Sequence, residues 1–187
     1  MLLKPEPIVE AVEWLEARYG QFRKFALCPS GPVFRQSTAR ELTGLERILF
    51  LCGRYEGFDE RVRRLVAFED LSIGDFVLAG GELPALAITE AIARLLPGVL
   101  GHEESPMQES FQQGDQLDCP HYTRPRVWRG LEVPEVLLNG DHSAIEHWRQ
   151  RAAREKTAQR SHAGAPKNNS IHPELTAPPT ASGRPNP

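Results

Sequence analysis

Residues 47–52 read Arg-Ile-Leu-Phe-Leu-Cys and run directly into Gly53-Arg54-Tyr55-Glu56-Gly57. A run this short and this apolar, closed by glycine, predicts a strand buried on both faces, as in a parallel sheet covered by helices. Working outward, residues 24–27 form a second short apolar segment ending at Cys28-Pro29-Ser30-Gly31, again strand then loop. Residues 69–78 offer one or two more strands, broken at Gly74. Helical spacing lies between these segments. Ile8, Val12, Leu15 and Tyr19 follow Pro7, a residue tolerated in a first turn. Thr38 and Glu41 fit a capping box for a short helix up to Gly44, and Asp59 is placed to cap another through Leu65. Leu83, Leu86, Ile88, Ile92 and Leu95 mark a helix over 84–96. Strands alternating with helices predict an α/β class with a parallel sheet.

The chain changes character over 98–125, which is rich in Gly, Pro, Ser, Gln, Asp and His and reads as a long linker that carries function or orders on binding. A second compact element follows: an apolar step at 136–138, a turn at Asn139-Gly140-Asp141-His142, and a helix capped by Ser143. That helix gathers Arg149, Arg151, Arg154, Lys156 and Arg160. From Ser161 onward the composition is too poor in large apolar residues to bury itself.

Of 187 residues, 40% are hydrophobic and 25% charged, within the range of globular proteins. The net charge of -3 does not announce a nucleic-acid binder, although a local basic patch remains compatible with it. Three scattered cysteines, Cys28, Cys52 and Cys119, argue against a disulfide framework and a zinc site and fit a reducing cytoplasm. No signal peptide opens the chain and no apolar run is long enough to span a bilayer.

Two glycine-bearing loops stand at the ends of the expected strands, residues 53–57 and residues 72–84. Glycine there lets backbone come close to a ligand, and open α/β sheets bind ligands at those strand ends. Taken singly, each glycine pair reads as a tight turn. Neither loop is a dinucleotide fingerprint or a P-loop.

The strings GRYEGFDERV (53–62), SIGDFVLAGGELPA (72–85), LLPGVLGHEES (95–105), LDCPHYTRP (117–125) and EVPEVLLNGDH (132–142) resemble, in order, those of the bacterial tRNA guanine-N1 methyltransferases. The likeness runs over about residues 1–151. It implies a knotted (SPOUT-class) α/β domain with a deep C-terminal trefoil knot over 1–103, an interdomain linker with a catalytic residue over 104–125, a small helical tRNA-binding domain over 126–160 and a disordered tail over 161–187. It further implies S-adenosyl-L-methionine as methyl donor, tRNA as substrate, and a homodimer with each active site at the subunit interface. The target is N1 of guanine37, 3′ of the anticodon and preceded by another guanine. The cofactor positions carry over to Ala26, Leu27, Cys28 and Pro29; to Gly53, Tyr55, Glu56 and Gly57; and to Ile73, Gly74, Phe76, Leu78, Gly80, Gly81 and Pro84. The resemblance admits Mg2+ in catalysis but supplies no metal-ligand set.

Methylation at guanine N1 requires a base for the N1 proton and a cation for the charge that builds on O6. The matching positions are Glu109 and Arg94. Alone, Arg94 reads as a helix-end charge and Glu109 as an exposed loop carboxylate. Glu109 also departs from the family's usual Asp by one methylene, and a displacement of ~1 Å at a catalytic group can cost ~10²-fold in rate. Arg124, Arg149, Arg151 and Arg154 are the expected phosphate contacts, with Arg126 and Arg129 beside them. His102, His121 and Tyr122 read as structural or RNA-positioning residues. Three further departures stand out. The family's opening strand and Pro-Tyr-Gly-Gly-Gly-Pro-Gly loop have no counterpart ahead of Met1, so the chain reads as N-terminally truncated. The linker is one residue longer between Phe111 and Leu117. The closing helices are not recognisable after Arg160, where only His172-Pro173-Glu174-Leu175 echoes them. These departures keep a second reading open, a non-catalytic dimeric module that binds S-adenosylmethionine or RNA. A related knotted methyltransferase with another RNA target fits the motifs less well.

Overall fold

The computed structural model describes residues 1–100, 109–112 and 114–164, excepting the side chains of 162–164. His102, the end of the string 95–105 and the tail from 165 lie outside the described residues. Helix α1 (Pro5–Tyr19) is followed by β1 (Arg23–Leu27), α2 (Gln36–Leu42), β2 (Ile48–Cys52), α3 (Arg61–Leu65), β3 (Glu69–Leu71) and α4 (Glu82–Ala93). A hairpin of β4 (Val127–Trp128) and β5 (Leu131–Glu132), a single 3-10 turn at Glu135–Leu137 and the long helix α5 (His142–Gly164) complete the described chain.

The sheet order is β2-β1-β3 and both ladders are parallel, as the strand–helix alternation predicts. Leu27 pairs with Cys52 on one side and with Leu71 on the other. All three strands therefore end level, and the loops that follow leave the sheet at the same edge. Phe25, Leu71, Ala39, Leu42, Ile88 and Ile92 form the buried core between the sheet and helices α2 and α4. Strand alternation turns Ala26, fully buried, to the opposite face. Helices α1 and α3 pack on each other and bury Val12 and Val62.

Several local expectations shift. Residues 47–52 are expected as a strand buried on both faces, but the strand is Ile48–Cys52, it pairs only with β1 among the described residues and every residue in it is half-buried. The central, covered strand is β1, whose Phe25 and Ala26 are inaccessible. Thr38 lies inside α2 rather than at its N-cap, where Arg35 makes no side-chain cap. Glu41 turns instead to the Arg23 guanidinium, 2.6 Å away. Of residues 69–78 only Glu69–Leu71 is strand, because the Ser72 hydroxyl bonds the Gly74 amide and carbonyl and starts a turn. Helix α4 begins at Glu82 and gives way at Arg94. The cap of α5 is Asp141, whose Oδ1 accepts from the Ala144 amide at 3.1 Å, and Ser143 lies within the helix. The helix also continues to Gly164, past the boundary expected at 161, and the hairpin of β4 and β5 precedes it where no strands were expected.

The first and third loops pair in parallel at Val33 and Ser72. The Ser72 amide donates to the Pro32 carbonyl and the Phe34 amide to the Ser72 carbonyl. This contact is too tight for a side chain at Gly31, where a Cβ would sit 2.4 Å from the Leu71 nitrogen. Gly31→Ala is therefore expected to cost about 1–3 kcal/mol by overpacking. Gly44→Ala, whose Cβ meets only the Glu41 carbonyl at 3.6 Å, is expected to stay within about 1 kcal/mol of the parent. Urea denaturation of the two variants measures the difference, and equal losses would show that the contact has room to give.

Candidate functional site

The loops that leave the level strand ends enclose a cleft of about 390 Å³. Every predicted cofactor position lines it except Ala26. Ala26 sits one residue inside β1, paired with Leu51 and Asp70, so its side chain belongs to the sheet packing. The third loop comes down on the end of β2: the Gly81 amide donates to the Gly53 carbonyl at 3.1 Å, and a Cβ on Gly81 would lie 2.8 Å from the Cys52 Cα. Here the missing side chain of glycine is what lets one loop rest on another strand's backbone. Arg54 and Glu82, joined at 2.7 Å, clasp the two loops from outside. Tyr55 holds a positive φ of 60° in the second loop, an uncommon conformation for a side-chain-bearing residue and one often found at binding sites.

One residue of the cleft was invisible in the sequence. Arg63 on α3 belongs to none of the motifs, yet it lines the cleft and ties its parts together. Its guanidinium bonds Asp70 of β3, lies 5.0 Å from the centre of the Phe58 ring and points Nη2 at the Cys28 sulfur, 3.8 Å away. No spacing rule joins positions 28, 58, 63 and 70, so only the folded chain reveals this cluster.

The two residues expected to carry the chemistry meet. Arg94 Nη1 and Nη2 donate to Glu109 Oε2 and Oε1 at 2.5 and 2.6 Å, a bidentate pair. Neither is the solvated charge that each resembled in isolation, since both side chains are about one-third exposed. The hydrogen bonds from Arg94 hold the Glu109 carboxyl below the ordinary carboxylate range, against a smaller opposing effect of burial. The same bonds raise the Arg94 guanidinium. The added methylene of Glu109 does not prevent the pairing. Neither partner lines the 390 Å³ cleft.

With this geometry in hand, the comparisons with known proteins are informative. The family model described as tRNA (Guanine-1)-methyltransferase TrmD matches residues 1–163. The chain belongs to this family. Proteins named tRNA (guanine-N(1)-)-methyltransferase from Bacillus licheniformis and Bacillus subtilis are each 49% identical to it over 158 residues, 84% of this chain and 65% of theirs. One from Dehalococcoides mccartyi is 50% identical over 161 residues, 86% of this chain and 64% of its own length. The chain thus spans just under two thirds of the length of these relatives.

Beyond the cleft, residues 109–121 and α5 form a second cavity of about 650 Å³, to which Glu109, Arg149 and Arg154 all contribute. Arg124 and Arg149 border a third, of about 710 Å³, beside the Tyr122 and Trp148 rings. Arg151 lines neither and faces Glu155 at 3.9 Å. Among the described residues, Asp118, Cys119 and His121 bring donor atoms within 4.8 Å of one another. Asp118 Oδ1 already accepts from the Cys119 amide and Oδ2 meets His121 Nε2 at 2.7 Å, so the group closes on itself as a turn. No helix among the described residues is long and apolar enough to cross a membrane.

The Arg94–Glu109 pair has a pH signature. The folded-state pKa of Glu109 is depressed, so its contribution is present above the unfolded value and is lost as pH falls through the folded one. Because the pair is partly exposed, Glu109→Gln is expected to cost about 1 kcal/mol or less at neutral pH. The gap from the parent should close below the ordinary carboxylate range. Denaturation at a series of pH values checks this, and a gap independent of pH would mean that the carboxylate charge contributes nothing.

Proposed function

We propose that the protein to which these residues belong is a tRNA (guanine37-N1)-methyltransferase that uses S-adenosyl-L-methionine. The observation that carries this reading is the bidentate Arg94–Glu109 pair, a cation and a carboxylate joined at the two positions the family resemblance assigns to catalysis. The pair supplies what guanine N1 needs. Glu109 is ionised at neutral pH and can accept the N1 proton. Arg94 can turn its guanidinium to O6, where charge builds. As Arg94 leaves it, Glu109 loses the hydrogen bonds that depress its pKa, and its basicity rises when it is needed.

The cleft fits the donor. Its volume of about 390 Å³ lies within the range of small-molecule sites, about 300–1,000 Å³. Leu27, Ile73, Leu78 and Pro84 give it apolar walls, and Gly57, Gly74 and Gly80 leave parts of its lining free of side chains. Glu56 and Glu60 are carboxylates suited to a cationic ligand with hydroxyl groups. S-adenosylmethionine, when bound, supplies an electrophilic methyl group. The close pairing of the first and third loops is compatible with the knot expected of the SPOUT class.

The same geometry supports a homodimer. Gly81 and Pro84 line the cleft at the start of α4, whereas Arg94 stands at its end, ten residues or about 15 Å along the helix axis. The pair of one chain is therefore suited to complete the cleft of a second copy. Exposed Phe76, Val77, Leu83 and Leu86, on the third loop and α4, offer the apolar surface such an interface needs. The arginines at 149 and 154, in one cavity with Glu109, support α5 as the tRNA-facing element, with Arg124 and Arg151 nearby in the chain. A cytoplasmic setting accords with this substrate.

The test is methyl transfer from labelled S-adenosylmethionine to an unmodified tRNA transcript with guanine at the target position and before it, read as N1-methylguanine by nucleoside analysis. Glu109→Gln and Arg94→Met are each expected to lower kcat by about 10²-fold or more, and to change donor affinity far less, because the pair acts on guanine N1 and O6 rather than on the donor. Omission of Mg2+ in the same assay reports whether the ion takes part. Donor binding without methylation would favour the binding-module reading, and absence of donor binding would sink the methyltransferase reading and leave only an RNA-binding module.

A further inference from the structure

Arg40 lies in the last turn of α2, where a basic residue needs no explanation beyond its charge near a helix C-terminus. Its side chain does something more specific. The Nη2 group donates to the Phe111 carbonyl and to Gln112 Oε1, the latter at 2.9 Å, in a half-buried setting. Both acceptors lie two or three residues after Glu109. The same short segment is tied from other directions. The Phe111 amide closes on the Gln116 carbonyl at 2.6 Å, with Phe111 at a φ of 68°. The Asp118 amide donates to the Ser110 hydroxyl at 3.0 Å. From α5, the Arg160 guanidinium lies 4.8 Å from the Phe111 ring centre and Thr157 Oγ1 accepts from the Leu117 amide at 2.9 Å.

We propose that Arg40 is a positioning residue that anchors residues 109–112 to α2 so that Glu109 meets Arg94, and that Arg160 and Thr157 make this placement depend on the seating of α5. The catalytic side of the argument rests on the function proposed above; the positioning side rests on the contacts alone. A loop with a positive-φ residue at its centre does not hold one conformation by local preference, and tertiary ties must over-determine it. Arg40 is the tie from the domain that also carries Arg94. Arg160 and Thr157 are the ties from the helix that carries Arg149 and Arg154. RNA engaging α5 therefore acts on the loop that aims the carboxylate. Because one nitrogen of Arg40 makes both bonds, a lysine ammonium can reproduce them, whereas an uncharged isostere cannot.

The experiment compares the full chain with Arg40→Met, Arg40→Lys and Arg160→Met. Three readouts are followed: the titration of the Glu109 carboxyl by carbon NMR, hydrogen exchange over residues 109–117, and kinetics with tRNA. In Arg40→Met the Glu109 titration moves up toward the ordinary carboxylate range and exchange over 109–117 accelerates. On the kinetic side, kcat falls by about 10-fold with KM for tRNA and donor affinity within about twofold, the pattern of a misaligned group rather than lost binding. Arg40→Lys restores most of each, and Arg160→Met shifts each in the same direction by less. If Arg40→Met fails to fold, Arg160→Met carries the comparison. An unchanged Glu109 titration and unchanged exchange in the Met variants overturn the positioning role, whatever the activity. A parent chain that transfers no methyl group while Arg40→Met still frees Glu109 overturns the functional reading and leaves the positioning role standing.

Discussion

The level ending of three parallel strands is the constraint from which the rest of this molecule follows. Leu27 stands in register with Cys52 and with Leu71, so the first, second and third loops leave the sheet at one height. A parallel register shifted by one residue would turn Phe25 out of the core it shares with Ala39, Leu42, Ile88 and Ile92. Burial thus pins the register, and the register brings the glycine loops together. Gly31 against Leu71 and Gly81 against Cys52 are consequences of that convergence. Backbone meets backbone where the loops converge, and only a residue without a Cβ fits.

A second constraint is electrostatic and acts across the linker. Arg94 leaves the end of α4 and Glu109 lies 15 residues later in the chain, with a stretch between them that has no regular structure where it is described. Their bidentate pairing is strong enough to depress the Glu109 pKa but exposed enough to be exchanged for another partner. A fully buried pair would be held too firmly for that exchange, and a fully exposed one would not be aimed. The loop after Glu109 takes its shape from groups on α2 and α5, so the carboxylate is placed jointly by both halves of the described chain.

What the sequence determined by itself is the class of the fold, the place of the cleft and the family. Apolar runs at 24–27 and 47–52, each closed by a loop and alternating with helical spacing, suffice to indicate a parallel sheet. Long motifs in a fixed order suffice for the family, because each residue of such a string is matched independently. Where local signals were read alone they were less secure. Thr38 and Ser143 look like helix caps, but the chain entered α2 and α5 earlier, and Arg35 and Asp141 took those places. The hairpin at 127–132 carries only half of a turn signature, since Gly130 takes one positive φ at its corner but Arg129 takes the other, where Asn or Asp is usual.

The tertiary structure decided which strand is central, which charges are partners and which residues join the site. β1 rather than β2 became the covered strand, because it alone has neighbours on both sides among the described residues. Arg63 entered the cleft, and Arg40 reached across 71 positions to hold the segment after Glu109. Periodicity and propensity describe a residue's neighbours along the chain. These roles depend on neighbours in space, set by how helices pack on the sheet and how loops meet at its edge. For that reason the sequence could name Arg94 and Glu109 through a family likeness, while only the folded chain shows them bonded to each other.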